Sequence, residues 1–584
     1  MAVYSAAQGN VLSESSVSKR LVGSGMVRGA KLATCRSCRS IGGKRRNRMR
    51  QSQEKNAGCI GYWPLGTDSK DYSGLGRHGA AKGNLTYEEG AVFDGVSAAV
   101  ELPDIPETDG SRPFTLSLEF EVNDGKGFFP GGLASRYSET AMEGWHLSVL
   151  SQAGVTSSQP NWRNAQFGWS SGKSPIRWKD WGSPGDCRYI CSMCVYKDSL
   201  YVGTFDDASD NRGHVYRLGK DGVWTDCGTP DNSNSVWSMA EYNGKLYIGT
   251  MKYRASGSAL PESPNQERGG SIYRYEGGKK WTLFARLPVE NNDSVGALTV
   301  YDGKLIAMSF YPYGTFAFSE DGSCESLGSP GPEGKTRTMT LSPFRGQLFI
   351  GCNEKQGVSA RTLDEPWADS GAVAKCDQVY CFSVFHNELL TGIWPEARML
   401  RYEQGKDWSD FGLMGAEKEV MGISVFNGKL YGGTLPGGHV YRYAGGGHEW
   451  ELIGVLEQPD PNILYRRVWT MAVYDGQLFA GTLPGGKVWS LTHDPLATAD
   501  ASLSDGWHRA TAVYDRERLS LYIDGELAST VAVPPQASDE SGPASALSAS
   551  GFPFVLGKGP QCHFSGRIRE VKLFDRALAA SEIR

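Results

Sequence analysis

Gly-Trp-Ser-Ser-Gly at 168–172 spells the pattern of a nucleophile elbow, in which a strained turn between strand and helix lifts the central serine toward a base. Lys173-Ser174-Pro175 follows and no helical periodicity comes after it, so Ser170 is expected to end a strand and to do no nucleophilic chemistry. Cys35 and Cys38 form one CxxC and lack the second pair that a tetrahedral zinc site requires. Asp206, Asp207 and Asp210 make an acidic loop, expected to be solvated. The histidines stand apart from one another in the chain; His146 and His508, each after Gly-Trp, are expected to pack within strands. There is no HExxH, no P-loop and no GxGxxG in a strand–helix setting, so zinc hydrolysis and nucleotide chemistry have no motif here.

The elements that would position any other site are short strands. The 584 residues include 74 Gly, 26 Tyr and 16 Trp, a composition suited to many strands joined by tight turns. With 40% apolar residues the chain can bury a sizeable core, and no apolar run reaches the roughly 18 residues of a membrane span. The net charge of −5 sums two unlike parts: residues 1–57 carry 12 Lys/Arg against Glu14 and Glu54 (+10), which leaves 48 basic and 63 acidic residues (−15) for the remainder. A body of that sign is a poor partner for nucleic acid or anionic membrane. Residues 1–57 read as a disordered basic tail, densest at Lys44-Arg45-Arg46, where weak contact with polyanions is expected. No apolar segment of a secretory signal follows its charges, and Met49, just ahead of the first strand-like segment, is a candidate start. Twelve cysteines in a chain of this length do not make a disulfide scaffold.

One phrase recurs seven times between 195 and 482, for example EYNGKLYIGT (241–250), VFNGKLYGGT (425–434) and VYDGQLFAGT (473–482). Its shared leucine falls at 200, 246, 305, 348, 389, 430 and 478, with spacings of 46, 59, 43, 41, 41 and 48. Each unit reads as strand, two-residue turn, strand, usually followed by a second hairpin, and four strands per forty-odd residues is the period of a β-propeller blade. In the first strand of each unit small residues (Ser192, Ser238, Ala297, Thr340, Cys381, Gly422, Thr470) alternate with large ones (Met193, Met239, Leu298, Leu341, Phe382, Ile423, Met471), as in an inner strand with two differently packed faces. Cys194 and Cys381 therefore fill small-residue slots. The seventh unit lacks a fourth strand, and Arg177-Trp178-Lys179-Asp180-Trp181-Gly182 matches the missing one, so the ring is expected to close by borrowing it.

At the mouth of such a ring the same strands diversify. Tyr189, Ser235, Ser294, Arg337, Gln378, Glu419 and Arg467 stand at the strand starts, Trp237, Tyr380 and Trp469 one step deeper, and Tyr311, Tyr313, Trp394 and Glu396 in the following loops. Aromatic faces stack on sugar rings, while Arg and carboxylates bind hydroxyls or uronates, so Trp237, Tyr380, Trp469, Arg337, Glu419, Arg467, Tyr311, Tyr313 and Trp394 are the candidate ligand-binding set.

The flanks, 58–174 and 503–584, alternate strands and Gly turns: YWPL (62–65), DYSGLGRHG (71–79), DGWHRATAVYD (505–515), LSLYIDGELAST (519–530) and GRIREVKLFDRALAASEI (566–583). Over roughly 200 residues these motifs resemble the laminin-G-like, concanavalin-A-like jelly roll, cut in two; the propeller repeats resemble kelch-like and Asp-box-like propellers only generically. The expected fold is all-β: a concanavalin-A-like jelly-roll sandwich split by an inserted seven-bladed β-propeller. Its parts would be 1–57 tail, 58–174 first half, 175–494 propeller, 495–502 return linker and 503–584 second half, with the insertion between neighbouring strands at FGWSSG and DGWHRATAVYD. The resemblance implies an extracellular or cell-surface place and a Ca²⁺ near the opening phrase, with Asp71, Ser73 and the carbonyls around Gly76 as ligands. Arg569, standing before Glu570 where the family usually carries Asp, would repel that ion or replace it with an internal ion pair. Three functions stay open: non-catalytic glycan recognition; a polysaccharide lyase or glycoside hydrolase using Glu419, Glu396 or Tyr380 as acid or base; and a protein-interaction scaffold.

Overall fold

The computed structural model describes residues 58–583 apart from 124, 173, 311, 332–335, 354–356, 372–375, 406 and 535–546. The basic tail and its CxxC lie outside the described residues. Their regular structure is nearly all strand, with one short α-helix at Ala580–Ile583 and a few 3-10 turns, and no helix among them is long and apolar enough to cross a membrane.

Two sheets form the concanavalin-A-like sandwich, and each interleaves strands from both ends of the chain. In one, Ser565–Phe574 lies between Ala91–Asp94 and Phe114–Val122, and Trp507–Tyr514 extends it. In the other, Phe554–Leu556 lies between Ala99–Leu102 and Gly131–Ser138. Their inward positions alternate along each strand, as in Phe114, Leu116, Leu118 and Phe120, and meet Trp145, Phe167 and Trp169 in a shared core. Each such side chain contributes about 1.5–3 kcal/mol by leaving water, and neither flank supplies the facing half alone. Two details depart from the sequence reading. The strand of FGWSSG, Asn161–Ser170, and that of DGWHRATAVYD lie in opposite sheets rather than side by side. Residues 495–502, read as a linker, contribute Leu496–Thr498, which pairs with Gln166–Gly168 and finishes that sheet. Where the chain leaves and re-enters the sandwich, Asp494 fastens the two passages by accepting from Ser171 N (2.7 Å), Gly172 N (2.8 Å) and Ser171 Oγ (2.8 Å).

Between them stands the seven-bladed propeller. Seven four-stranded blades have inner strands Tyr189–Tyr196, Ser235–Tyr242, Ala297–Tyr301, Thr338–Phe344, Gln378–Phe385, Glu419–Phe426 and Arg467–Tyr474, each touching the next and the last touching the first. The seventh blade takes its outer strand from Arg177–Asp180, paired antiparallel with Val488–Thr492 in the register Trp178↔Leu491, so its edge is covered. The small and large columns of the inner strands are all buried.

The sandwich sits under the turns of the inner hairpins. Asn427 Nδ2 donates to the carbonyls of Asp494 and Pro495 (both 3.2 Å), Tyr137 Oη to Gly428 O (2.6 Å), and Asn387 Nδ2 to Val96 O (2.9 Å). From this face the loop 153–160, joining Glu143–Gln152 to Asn161–Ser170, rises into the channel. It and its flanks bond all seven inner strands: Val195 N to Pro160 O, Gln159 N to Met239 O, Leu298 N to Ser157 O, Thr340 Oγ1 to Gly154 O, Phe382 N to Gly154 O, Val425 N to Gln152 Oε1 and Val473 N to Asn161 Oδ1. The small-residue column leaves the space this loop fills. Gly154 is held at φ +71°, where a Cβ would stand 3.0 Å from Leu341 O, so the tip favours glycine on two counts.

Candidate functional site: a cup at the propeller mouth

Six of the seven inner strands carry a β-bulge at the same step. The register skips one residue at Cys191, Trp237, Met339, Tyr380, Met421 and Trp469. A bulge re-aims the extra side chain and leaves its backbone out of the ladder. The column that sequence set one step below the mouth is this bulge. In the third blade Gly296 vacates the place, and Phe310 lies where its Cβ would be (2.6 Å). The freed carbonyls meet the plug from below: Thr156 Oγ1 stands 2.5 Å from Trp469 O and 3.0 Å from Met421 O, and Ser157 Oγ 2.8 Å from Trp237 O.

Above this floor a cup of about 380 Å³ remains open. It is lined by Trp237, Arg337, Gln378, Tyr380, Trp394, Glu419, Arg467 and Trp469 from the predicted set of strand-start, deeper and loop positions. Tyr253, Arg254, Phe310 and Tyr465 join them, and sequence reading passed over these four. Their signal was the two longest repeat spacings, 59 and 48, which mark the loops that deliver Tyr253 with Arg254 and Tyr465. Tyr313 does not line the cup, Tyr311 lies outside the described residues, and Glu396 points to solvent beside Arg398 (3.2 Å).

Trp237 and Trp469 are only 2% exposed, 5.3 Å apart, and pack with Tyr189 and Tyr253 as a floor. The partly exposed aromatic faces are those of Tyr380, Trp394 and Tyr465. Glu419 is buried; desolvation pushes its carboxyl well above the usual range, Arg467 pulling the other way. Its Oε1 has no hydrogen-bond partner, nor has Trp237 Nε1. Arg467 lies among Tyr253, Tyr189 and Tyr380; burial works against its charge, and those phenols outweigh it and keep the guanidinium protonated. Arg254 pairs with Asp293 (2.9 Å), and Arg337 donates from Nε and Nη2 to the Asn353 amide oxygen (3.1 and 2.9 Å) once that amide is oriented to accept.

The other candidates have different employment. Asp71 Oδ1 accepts from Tyr62 N and Ser73 N, and Oδ2 from Ser73 Oγ and Arg77 N, at 2.8–3.0 Å. Burial alone would raise this carboxyl, and these donors hold it below the usual range. All four acceptor positions are spent on stapling the loop and the Ser73 hydroxyl is spent with them, while Gly76 is exposed, so the set does not fit a calcium ion. Arg569 pairs with Glu119 (2.9 Å) and covers the Trp507 ring (3.8 Å). The acidic loop expected to be solvated is buried at Asp206 and Asp207, where Arg188 and Ser263 engage the first and Tyr216 the second. Ser170 ends its strand with its hydroxyl on Met142 O (2.8 Å). His146 is buried against Ser148 and Asn427.

Residues 468–584 match the profile of the concanavalin A-like lectin/glucanases superfamily. That match begins inside the seventh blade and leaves the first half of the sandwich outside it. No curated protein matches the chain. Similar solved structures include a streptogramin B lyase (10% identity, TM-score 0.44, covering 55% of this chain and 98% of that one). A catalytically inactive virginiamycin B lyase from Staphylococcus aureus with quinupristin is 12% identical (TM-score 0.43, 55% and 99%). The extracellular domain of a putative one component system from B. thetaiotaomicron is 10% identical (TM-score 0.40, 60% and 53%).

Proposed function

We propose that the protein recognises glycans without chemically altering them. A laminin-G-like sandwich, built from 58–174 and 503–584, would carry a kelch-like seven-bladed propeller (175–494) whose cup holds the ligand. The composition of the cup carries this reading. Tyr380, Trp394 and Tyr465 offer partly exposed ring faces beside Arg254, Arg337 and Arg467, and among the described lining residues Glu419 is the only carboxyl. Glycoside hydrolysis uses two carboxyl groups across the scissile bond, whereas binding needs ring faces and forked donors. The lectin-type sandwich and the absence of a membrane-spanning helix among the described residues are compatible with a glycan partner. One observation favours a second reading, a lyase or hydrolase: burial pushes the Glu419 carboxyl well above the usual range, the direction that suits a general acid. Both are tested by presenting the full chain to a glycan array and then assaying bound glycans for cleavage. Retention by the wild type, loss with Tyr380→Ala plus Trp394→Ala, and intact glycan would support recognition. New reducing ends or unsaturated products would support the enzyme, and no retention would leave the scaffold reading.

A further inference from the structure

We infer that the cup selects a carboxylate-bearing sugar, a uronic acid residue of a polysaccharide, with the Arg467 guanidinium as the fork that reads the carboxylate. This rests on the glycan reading above and narrows it.

The cup inverts the charge of the body around it. Residues 58–584 sum to −15, yet the described cup lining holds three arginines and one carboxyl. Arg254 is matched by Asp293 and Arg337 by the Asn353 amide, but among the described residues Arg467 has no carboxylate within ion-pair distance. A guanidinium among phenol rings with no carboxylate in ion-pair contact is open to an anion, and its planar fork matches a carboxylate in two parallel bonds. Two further groups point the same way. Trp237 Nε1 is a buried donor with no acceptor, and Glu419 Oε1 is buried and unpartnered in the same cup; burial favours the protonated form of that carboxyl, which donates one hydrogen bond to an anion. A neutral sugar would leave the charge of Arg467 uncompensated, while a uronate meets it and still stacks its ring on Tyr380 or Trp394.

The test titrates the full chain by calorimetry with three sets of hexasaccharides: uronate oligomers (oligoglucuronate, oligogalacturonate and oligomannuronate), their methyl esters, and the neutral parent oligomers. A carrageenan hexasaccharide, which carries sulfate and no carboxylate, supplies the sulfate arm. At least one uronate oligomer is expected to bind, its methyl ester and neutral parent roughly tenfold or more weakly, with the carrageenan hexasaccharide weaker than the uronate. Arg467→Gln should lose affinity by a similar factor at an unchanged melting temperature, and Arg467→Lys should recover part of it. Because esterification alters only the ligand, the result stands even if an Arg467 variant folds poorly. Equal binding of uronate and neutral parent would overturn the inference and leave glycan recognition standing. The sulfated, carboxylate-free hexasaccharide binding as tightly as every uronate would overturn the carboxylate assignment, and binding of none would overturn both readings.

Discussion

The hydroxyl of Ser157, near the tip of a sandwich loop, donates to the carbonyl of Trp237, in the floor of the propeller cup, at 2.8 Å. The carbonyl is available because Trp237 is a bulge residue, out of register with the strand beside it. The donor is available because 153–160 carries polar side chains into a channel where they are almost fully buried. The cup therefore stands on the sandwich, and the two parts hold one another's unpaired groups.

The plug should be costly to cut. Gln159 Oε1 accepts from Val300 N (2.8 Å) and its Nε2 donates to Glu241 O (3.2 Å). Gln159→Ala orphans both buried backbone groups and is expected to destabilise by about 2–6 kcal/mol, at roughly 1–3 per group. Urea unfolding followed by both far-UV circular dichroism and tryptophan fluorescence would check this, and propeller and sandwich should unfold in one transition.

Separated from the sandwich, the propeller should lose stability. Fragment 175–494 keeps its covering strand but lacks the donors that meet Cys191, Trp237, Met421 and Trp469 carbonyls. It is expected to fold with a lower melting temperature than the whole chain, while 185–494, which also bares the edge of Val488–Thr492, should aggregate. Light scattering and thermal melts of the two fragments give the comparison.

Stability should carry a pH signature from the seam between propeller and sandwich. Burial pushes Glu241 up to about 7 from the ordinary 4.5, with the Ser502 hydroxyl opposing, and Asp500 up to about 6 from 3.8, with Lys220 opposing. Below their ordinary values both are protonated in either state. As pH rises from about 4 to 7 the unfolded chain releases these protons and the folded chain keeps them, so stability falls, by on the order of 3 kcal/mol for Glu241, and the full cost applies above pH 7. His146, pushed down to about 4 by burial, acts in the opposite sense, so the reading is the difference between variants. Glu241→Gln should gain over wild type at pH 8 and show no gain at pH 4 in denaturant titrations.

The two floor tryptophans should matter more to folding than to ligand. Trp237→Ala or Trp469→Ala, at 2% exposure, is expected to cost about 3–5 kcal/mol. Trp394→Ala, at the partly exposed rim, should cost less stability and more glycan affinity. Thermal melts and calorimetry on the three variants separate the roles.

Several parts of this protein were determined by the sequence alone. The seven repeats, the period-2 alternation of small and large residues, and the match of Arg177–Gly182 to the missing strand are local patterns, set by side-chain periodicity and turn chemistry. They sufficed for the blades, the ring and the split sandwich. The mouth positions Arg337, Gln378, Glu419 and Arg467 were legible for the same reason, because a repeat exposes the columns where residue types vary. Only the tertiary structure decided the rest. That Trp237 and Trp469 form a buried floor follows from a bulge shared by six strands, which no residue type announces. That the Glu419 carboxyl is pushed above its ordinary range follows from desolvation by neighbours far away in sequence. That Val-Thr-Ser-Ser-Gln (155–159) is buried, although it reads as a polar surface loop, follows from unpaired backbone groups in five other segments of chain, and a polar residue is buried only where such partners converge.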